Sequence, residues 1–287
     1  MIATPHALAP AALAQCLQGA DLDWEIAPRI ASTNAELARR ARAAAPRRPI
    51  LLAADEQTAG RGRQGRSWHA APGHALLFSL AQPWARAPAA SAAVTLACGV
   101  ALARCLEQQG IAVRLKWPND ILLHGRKLAG LLTELTEDRD GARTLVVGVG
   151  MNLVVDAALR ASIDQPVAEL AECLGAQALA HKEAWLARCT LALLQATGEF
   201  AEHGFAPARD EFNRRCAYLD QAVLLTGTPP AGGAGAAAPA PLRGILRGVD
   251  EQGRLLLESD GRVLAMMSGD VSLRADAAPP PCPGESP

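Results

Sequence analysis

An arginine cluster threaded with glycine is the most chemically loaded stretch of this 287-residue chain. In Gly60-Arg61-Gly62-Arg63-Gln64-Gly65-Arg66, glycine lets backbone N–H groups approach an anion while three guanidinium groups supply charge. That combination suits cradling phosphates and screening the repulsion between an anionic nucleophile and a polyphosphate. The same stretch also reads as a solvated basic loop. It lacks the G-x-x-x-x-G-K-[ST] spacing of a phosphate loop, and it is not a G-x-G-x-x-G that opens a helix, so neither standard nucleotide motif applies.

A second segment, Lys116-Trp117-Pro118-Asn119-Asp120, is followed by Lys127 on the next turn. The chain has three lysines, Lys116, Lys127 and Lys182, against 25 arginines. Where arginine serves almost everywhere, a retained lysine points to a compact ammonium that reaches a single oxygen. Asp120 is a candidate holder of Mg2+ and Asn119 a hydrogen-bond partner for a ligand; the competing reading is a Pro-Asn-Asp turn with Asp120 capping a hairpin. Ser32-Thr33-Asn34 and Gln57 offer hydroxyls and amides fit to read a neutral head group that both donates and accepts. Thr33 and Glu36 are also explained by capping alone. Gly148-Val149-Gly150-Met151-Asn152 ends an apolar strand, where the glycines allow either close approach to a ligand or a bulge.

These residues need a scaffold, and the hydrophobic pattern supplies one. A short helix over 11–19 ends at Gly19, and a brief strand lies near Trp24 to Ile26. Thr33-x-x-Glu36 forms a capping box from which a helix begins at Thr33, with Arg39, Arg40 and Arg42 towards its far end. Strands are predicted at about 50–54 and 75–80, then a long buried helix over about 90–109 that stops at Gly110. VRLKW, DILLH, LAGLLTEL and TLVVGVGMNL read as consecutive antiparallel strands divided by turn signals. Trp185, Leu186, Leu191, Leu194, Phe200, Phe205, Phe212 and Tyr218 are spaced for two helices over about 182–218. After Leu219, five short strands predict a small β-barrel. The expected organisation is a catalytic unit over 1–219, a barrel over 220–274 with a low-complexity loop at 227–241, and a disordered tail at 275–287.

Composition narrows the function classes. With 28 Lys+Arg against 29 Asp+Glu the formal charge is −1, which argues against broad sequence-independent nucleic-acid binding. Any polyanion must then be met by a local cluster. The residues are 50% hydrophobic but 3% aromatic, so the core is built from Leu, Val, Ile and Ala. Seven scattered cysteines, with no C-x-x-C and no histidine at ligand spacing, favour reduced thiols in a cytoplasmic protein over disulfides or a zinc site. The N-terminus carries no secretion signal. No run is long and apolar enough for a membrane span.

The order and spacing of the segments resemble biotin–protein ligases. The matching elements are STN at 32–34, EQTAGRGRQGRSW at 56–68, KWPND at 116–120, GRKLAGLLTEL at 125–135, GVGMN at 148–152, and a terminal G-x-L-R-G-V-D-x-x-G-R-L followed by SGDVSLR. The resemblance implies an α/β (α+β) catalytic domain with a mixed, largely antiparallel sheet, followed by an SH3-like barrel. It implies biotin and ATP as substrates with Mg2+, giving biotinyl-5'-AMP and pyrophosphate. Biotin would then pass to one lysine of the biotin carboxyl carrier protein of acetyl-CoA carboxylase, or of other biotin-dependent carboxylases. Biotin's own carboxylate is the nucleophile in such a reaction, so no Ser, Cys or His nucleophile is required.

Carried over residue by residue, the resemblance puts Ser32, Thr33, Asn34 and Gln57 around the biotin ureido end. Arg61, Gly62 and Arg63 would form a loop closing over biotin and adenylate, and Lys127, with Gly130 beside it, would meet the carboxylate or acyl-phosphate oxygens. Lys116, Asn119, Asp120 and Asn152 fall on the nucleotide and metal side, as does Arg63. Only 31 residues precede Ser32, fewer than the roughly 50 of an independent domain, so no operator-binding domain, no DNA partner and no repressor function are expected. A monomer or a homodimer is compatible with the sequence, and no membrane partner is expected. Residues 153–184 contain no tryptophan to stack on adenine. The rival readings are a lipoate–protein ligase, whose apolar dithiolane needs no Ser32/Gln57 hydrogen bonds, and a non-catalytic biotin-responsive regulator.

Overall fold

In the computed structural model, which describes residues 6–88, 93–163, 165–227, 241–267 and 271–275, a short helix α1 (Pro10–Cys16) leads into β1 (Asp23–Ile30). Helix α2 (Thr33–Ala43) then crosses over to β2 (Ile50–Gln57), which lies parallel to β1. All other pairings in this sheet are antiparallel: β3 (Ala75–Pro83), β4 (Arg114–Lys116), β5 (Asp120–Leu123), β6 (Arg126–Glu137) and β7 (Arg143–Asn152) complete the order β1-β2-β3-β7-β6-β5-β4. The expected mixed, largely antiparallel sheet is therefore present, and its last four strands form the predicted meander.

Strands β3 and β7 sit at the centre and are buried along almost their whole length. Helices cover both faces, so these strands read as continuous apolar runs with no polar alternation. On one face Leu37 and Ala38 of α2 pack on Leu52, Ala81 and Val146. On the other, α3 (Val94–Glu107) packs against α7 (Lys182–His203) over Phe78, Leu80 and Trp185. Helix α3 occupies the middle of the predicted 90–109 span; Gly110, at φ +77°, turns the chain away where a side chain would be strained. Residues 89–92 lie outside the described set.

Short helices α4 (Ala157–Ser162), α5 (Ala171–Leu174) and α6 (Gln177–Ala180) follow β7, and α8 (Ala206–Arg215) follows α7. The two long helices match the apolar spacing read from sequence. The three short ones carry too few turns to leave a periodic signal. The second sheet holds β8 (Ala222–Gly227), β9 (Leu242–Val249), β10 (Leu255–Ser259), β11 (Arg262–Met266) and β12 (Val271–Ala275) in the order β11-β10-β9-β8-β12, all antiparallel. Trp117, buried in the turn after β4, donates Nε1–H to Gly253 O at 3.2 Å, and Asn213 of α8 exchanges hydrogen bonds with the Val249 main chain. Val223, Leu246 and Leu257 join the same apolar cluster as the first sheet. Residues 228–240 and 276–287, which hold most of the expected low-complexity loop and tail, lie outside the described set.

One local expectation is corrected. The cap of α2 is Ser32, whose Oγ accepts from Ala35 N–H at 3.4 Å, and Thr33 is the first helical residue. Glu36 does not reach back to close a capping box with Thr33; its carboxylate is held by Arg39 and Arg40 at 2.7–2.9 Å. With capping done by its neighbour, the Thr33 hydroxyl is released for other partners.

Candidate active site

The α2 face of the large sheet continues past the start of the helix into a cavity of about 420 Å³. Residues two apart on a strand share a face, so Val146, Gly148, Gly150 and Asn152 of β7 form one row. Val146 lies under α2, whereas a Cβ at Gly148 would collide with the Asn34 amide and one at Gly150 would lie 2.5 Å from Trp68 Cε2. Gly130, which pairs with Gly150 across β6 and β7, leaves room for the same indole. The glycines thus admit protein side chains that build the site's walls. Every residue singled out from the sequence, Ser32, Thr33, Asn34, Gln57, Arg61, Gly62, Arg63, Lys116, Asn119, Asp120, Lys127, Gly130 and Asn152, lines this single cavity.

At the α2 end the side chains are neutral and interlocked. Gln57 Oε1 accepts from Thr33 N–H at 2.7 Å and lies 3.2 Å from Thr33 Oγ1. Thr33 Oγ1 is 2.7 Å from Ser79 Oγ, and Ser79 Oγ is 2.7 Å from Asn34 Oδ1. Ser79 is completely buried and Thr33 nearly so. Two hydroxyl protons therefore serve three side-chain contacts between two accepting amide oxygens, and only the Thr33–Ser79 bond can run in either direction. A ligand presenting both N–H and C=O would fix it.

Over the middle of the row lies the arginine loop. It closes as a tight hairpin: Gly62 N–H donates to Arg66 O at 2.7 Å and Trp68 N–H to Gly60 O at 2.9 Å. Trp68 is thereby laid against Gly150 and Gly130, with its indole Nε1 buried and without a hydrogen-bond partner. Arg61 Nη2 reaches Glu134 Oε1 of β6 at 3.0 Å.

The far end is ionic. Lys127 Nζ lies 2.8 Å from Asp120 Oδ1, both side chains mostly buried, and 5.6 Å from the centre of the Trp68 ring. An ammonium carries three donors, so the bond to Asp120 aims Lys127 while leaving donors for another anion. Asn119 donates Nδ2–H to Leu131 O at 2.8 Å and its main-chain carbonyl accepts from Leu131 N–H, which fastens the β4–β5 turn to β6. Asn152 Nδ2 donates to Ala168 O at 2.9 Å. Both amide donors are thus engaged with main chain, although both residues face the cavity.

Asp120 does not offer a ready Mg2+ site. One of its oxygens is taken by Lys127, and among the described residues no three His, Cys, Asp or Glu side chains converge to hold a metal. A single engaged carboxylate fits an ion that arrives on the phosphates of a nucleotide and not one held by the protein. Lys182 lies apart from the site: buried, it pairs with Asp55 and hydrogen-bonds His6 O, pinning the N-terminal segment to β2 and α7.

Sequence reasoning missed Ser79, Glu134, Trp68, Tyr218 and the wall formed by Ile163, Pro166 and Val167. Ser79 carried a usable signal, since a polar residue within an otherwise apolar central strand demands a partner. The two glycines of GVG signalled close approach, but what approaches is Trp68 and Asn34, contributed from 80 and more residues away.

Comparison with known proteins finds two family models that match this chain. Residues 26–152 match the Biotin/lipoate A/B protein ligase family and residues 240–274 the Biotin protein ligase C terminal domain. The chain is 35% identical over 227 residues to the bifunctional ligase/repressor BirA of Salmonella typhimurium, covering 77% of this chain and 66% of that protein. It is 34% identical over 233 residues to the biotin--[acetyl-CoA-carboxylase] ligase of Paracoccus denitrificans, covering 79% and 90%. Its fold is similar to that of the Aquifex aeolicus biotin protein ligase solved with biotin and ATP, at TM-score 0.68 and 24% identity, over 88% of this chain and 99% of that one.

Proposed function

Since the chain belongs to the biotin protein ligase family, we infer that it activates biotin with ATP to biotinyl-5'-AMP, releasing pyrophosphate, and then transfers biotin to one lysine of a carboxylase's carrier domain. The observation that carries this reading is the polarity of one cavity. A neutral array of Thr33, Ser79, Asn34 and Gln57 stands at one end, the arginine loop with its indole over two glycines at the middle, and Lys127 beyond. A cyclic urea needs the first, an aliphatic chain the second and a carboxylate the third.

In this reading Ser32, Thr33, Asn34 and Gln57 hold the ureido group, with Ser79 completing the set. Lys127, steadied by Asp120, meets the carboxylate and then the acyl-phosphate oxygens. As the carboxylate attacks the α-phosphorus an O–P bond forms, pyrophosphate departs with its bonding pair, and charge gathers on oxygens whose stabilisation this reading assigns to Arg61, Arg63, Lys116 and Lys127. Gly62 lets the loop come close, and Gly130 clears the space beside Lys127. Asn119 and Asn152 act on the nucleotide side by fixing the β4–β5 turn and the wall at 166–168. Any Mg2+ enters with ATP as part of the substrate.

Transfer follows when a neutral lysine amine of the carrier domain attacks the acyl carbon and AMP leaves. A formal charge of −1 fits a cytoplasmic enzyme whose partner is a protein and not DNA. The deciding experiment incubates the protein with biotin, ATP, Mg2+ and the carrier domain of an acetyl-CoA carboxylase, then weighs the carrier. One added biotinyl group is expected. Pyrophosphate release with lipoate and none with biotin would transfer the assignment to the lipoate branch of the family.

A further inference from the structure

We propose that Glu134 is a positioning residue that tethers the arginine loop to the head-group array, so that the loop stays over the cavity while an intermediate is held. The inference rests on the ligase reading for what is retained, but the tether itself is read from contacts within this chain.

Glu134 divides its two oxygens. Oε1 accepts from Arg61 Nη2 at 3.0 Å and Oε2 from Asn34 Nδ2 at 2.8 Å. Asn34 is buried, also donates to Leu132 O at 3.2 Å, and accepts from Ser79 at 2.7 Å. A continuous chain of polar contacts thus runs Gln57, Thr33, Ser79, Asn34, Glu134, Arg61. An ordinary exposed ion pair is weak because two mobile side chains must be ordered to make it. Here one partner is already fixed by the buried Asn34 amide, so only the arginine loses freedom when the contact forms. Glu134 does not line the cavity, which separates it from groups that touch substrate.

The loop reports its own position, because trypsin cleaves after Arg61, Arg63 and Arg66, and cleavage requires the segment to leave its hairpin. Glu134→Gln keeps an oxygen for Asn34 and removes the charge facing Arg61. The expected result is loop nicking about fivefold faster than in the parent, on the scale of a partly exposed ion pair, with or without biotin. Biotinyl-AMP, formed in place, should escape faster by a similar factor. Pyrophosphate release at saturating biotin and ATP should stay within about twofold, a split that a general loss of structure would not give. Glu134→Asp, with the charge on a shorter arm, should fall between. If Glu134→Gln does not fold, Arg61→Gln cuts the same contact from its exposed end and is judged only by nicking at Arg63 and Arg66, because Arg61 itself is assigned to the intermediate. Parent rates of nicking and of intermediate escape in Glu134→Gln, or of nicking alone in Arg61→Gln, overturn the tether. Failure of the parent protein to bind biotin overturns the ligase reading instead, while the nicking comparison without biotin still judges the tether.

Discussion

Gly150→Ala probes whether the indole wall is as tight as the geometry says. The added Cβ would lie 2.5 Å from Trp68 Cε2 and 2.8 Å from Cδ2, where carbon atoms ordinarily rest about 3.5–4.0 Å apart. The ring must therefore retreat by about 1 Å. It cannot do so alone, because Trp68 N–H is bonded to Gly60 O at 2.9 Å and a Cβ at Gly130 would already lie 3.3 Å from the far edge of the ring. The retreat would carry the hairpin bearing Arg61 and Arg63 with it. Overpacking of this kind costs about 1–3 kcal/mol of stability, and a misplacement of about 1 Å near reacting atoms costs about 100-fold in rate. Pyrophosphate release and thermal melts measure the two effects. The expected variant is folded, somewhat less stable and about 100-fold slower. Gly99→Ala in α3 is the control, since its Cβ meets Leu115 Cδ2 at an ordinary 3.7 Å. Parent-like turnover of Gly150→Ala would show that the indole does not wall the cavity as described.

Lys127→Ala should slow adenylation by about 100- to 1000-fold in a protein that still melts cooperatively; near-normal pyrophosphate release would remove Lys127 from its role. Lys182→Met should act oppositely, costing about 3–5 kcal/mol by leaving Asp55 unpaired in the interior, with turnover preserved in the folded fraction; a melt matching the parent's would contradict the buried pair. Hydrogen bonds from Arg39 and Arg40 pull Glu36 from its ordinary 4.5 down to about 2. Its stabilisation is complete above the unfolded value near 4.5 and is lost as pH falls through about 2. For so exposed a pair the difference between the parent and Glu36→Gln should be about 1 kcal/mol at neutral pH, and melts should show it closing over that acid window. Burial pushes the Cys98 and Cys216 thiols up to about 12, with Arg114 opposing the rise at Cys216. Native iodoacetamide labelling followed by mass mapping should mark exposed Cys16 and Cys173 well before either; early labelling of Cys98 would show that the α3 packing opens.

Much of the fold was legible because its signals are local. The Pro-Asn-Asp, His-Gly and Asp-Gly turns divide β4 to β7 into a meander whatever lies around them, and the spacing of Trp185, Leu186 and Phe200 marks α7 by its own period. The cap of α2 was misassigned because Ser32 and Thr33 are equally good caps by composition. The choice between them was made by Gln57 and Ser79, which offer the Thr33 hydroxyl better partners from β2 and β3. Asn119 and Asn152 read as ligands, yet their amide donors bind carbonyls of Leu131 and Ala168, contacts that no spacing within either motif foretells.

The sequence by itself determined the chemical inventory: which cations, hydroxyls, amides and glycines exist, in what order, and on which strands, turns and helix ends they fall. Tertiary structure alone decided what each inventory member faces. Register between β6 and β7 sets Gly130 opposite Gly150 and so creates the floor on which Trp68 lies; pairing of β5 with β6 brings Lys127 to Asp120, giving the carboxylate read as a metal ligand an ammonium partner. The physical reason is that side-chain type and local conformation follow from neighbours along the chain, whereas partnership is a property of distance in space, fixed only when the strands have paired and the helices have closed over them.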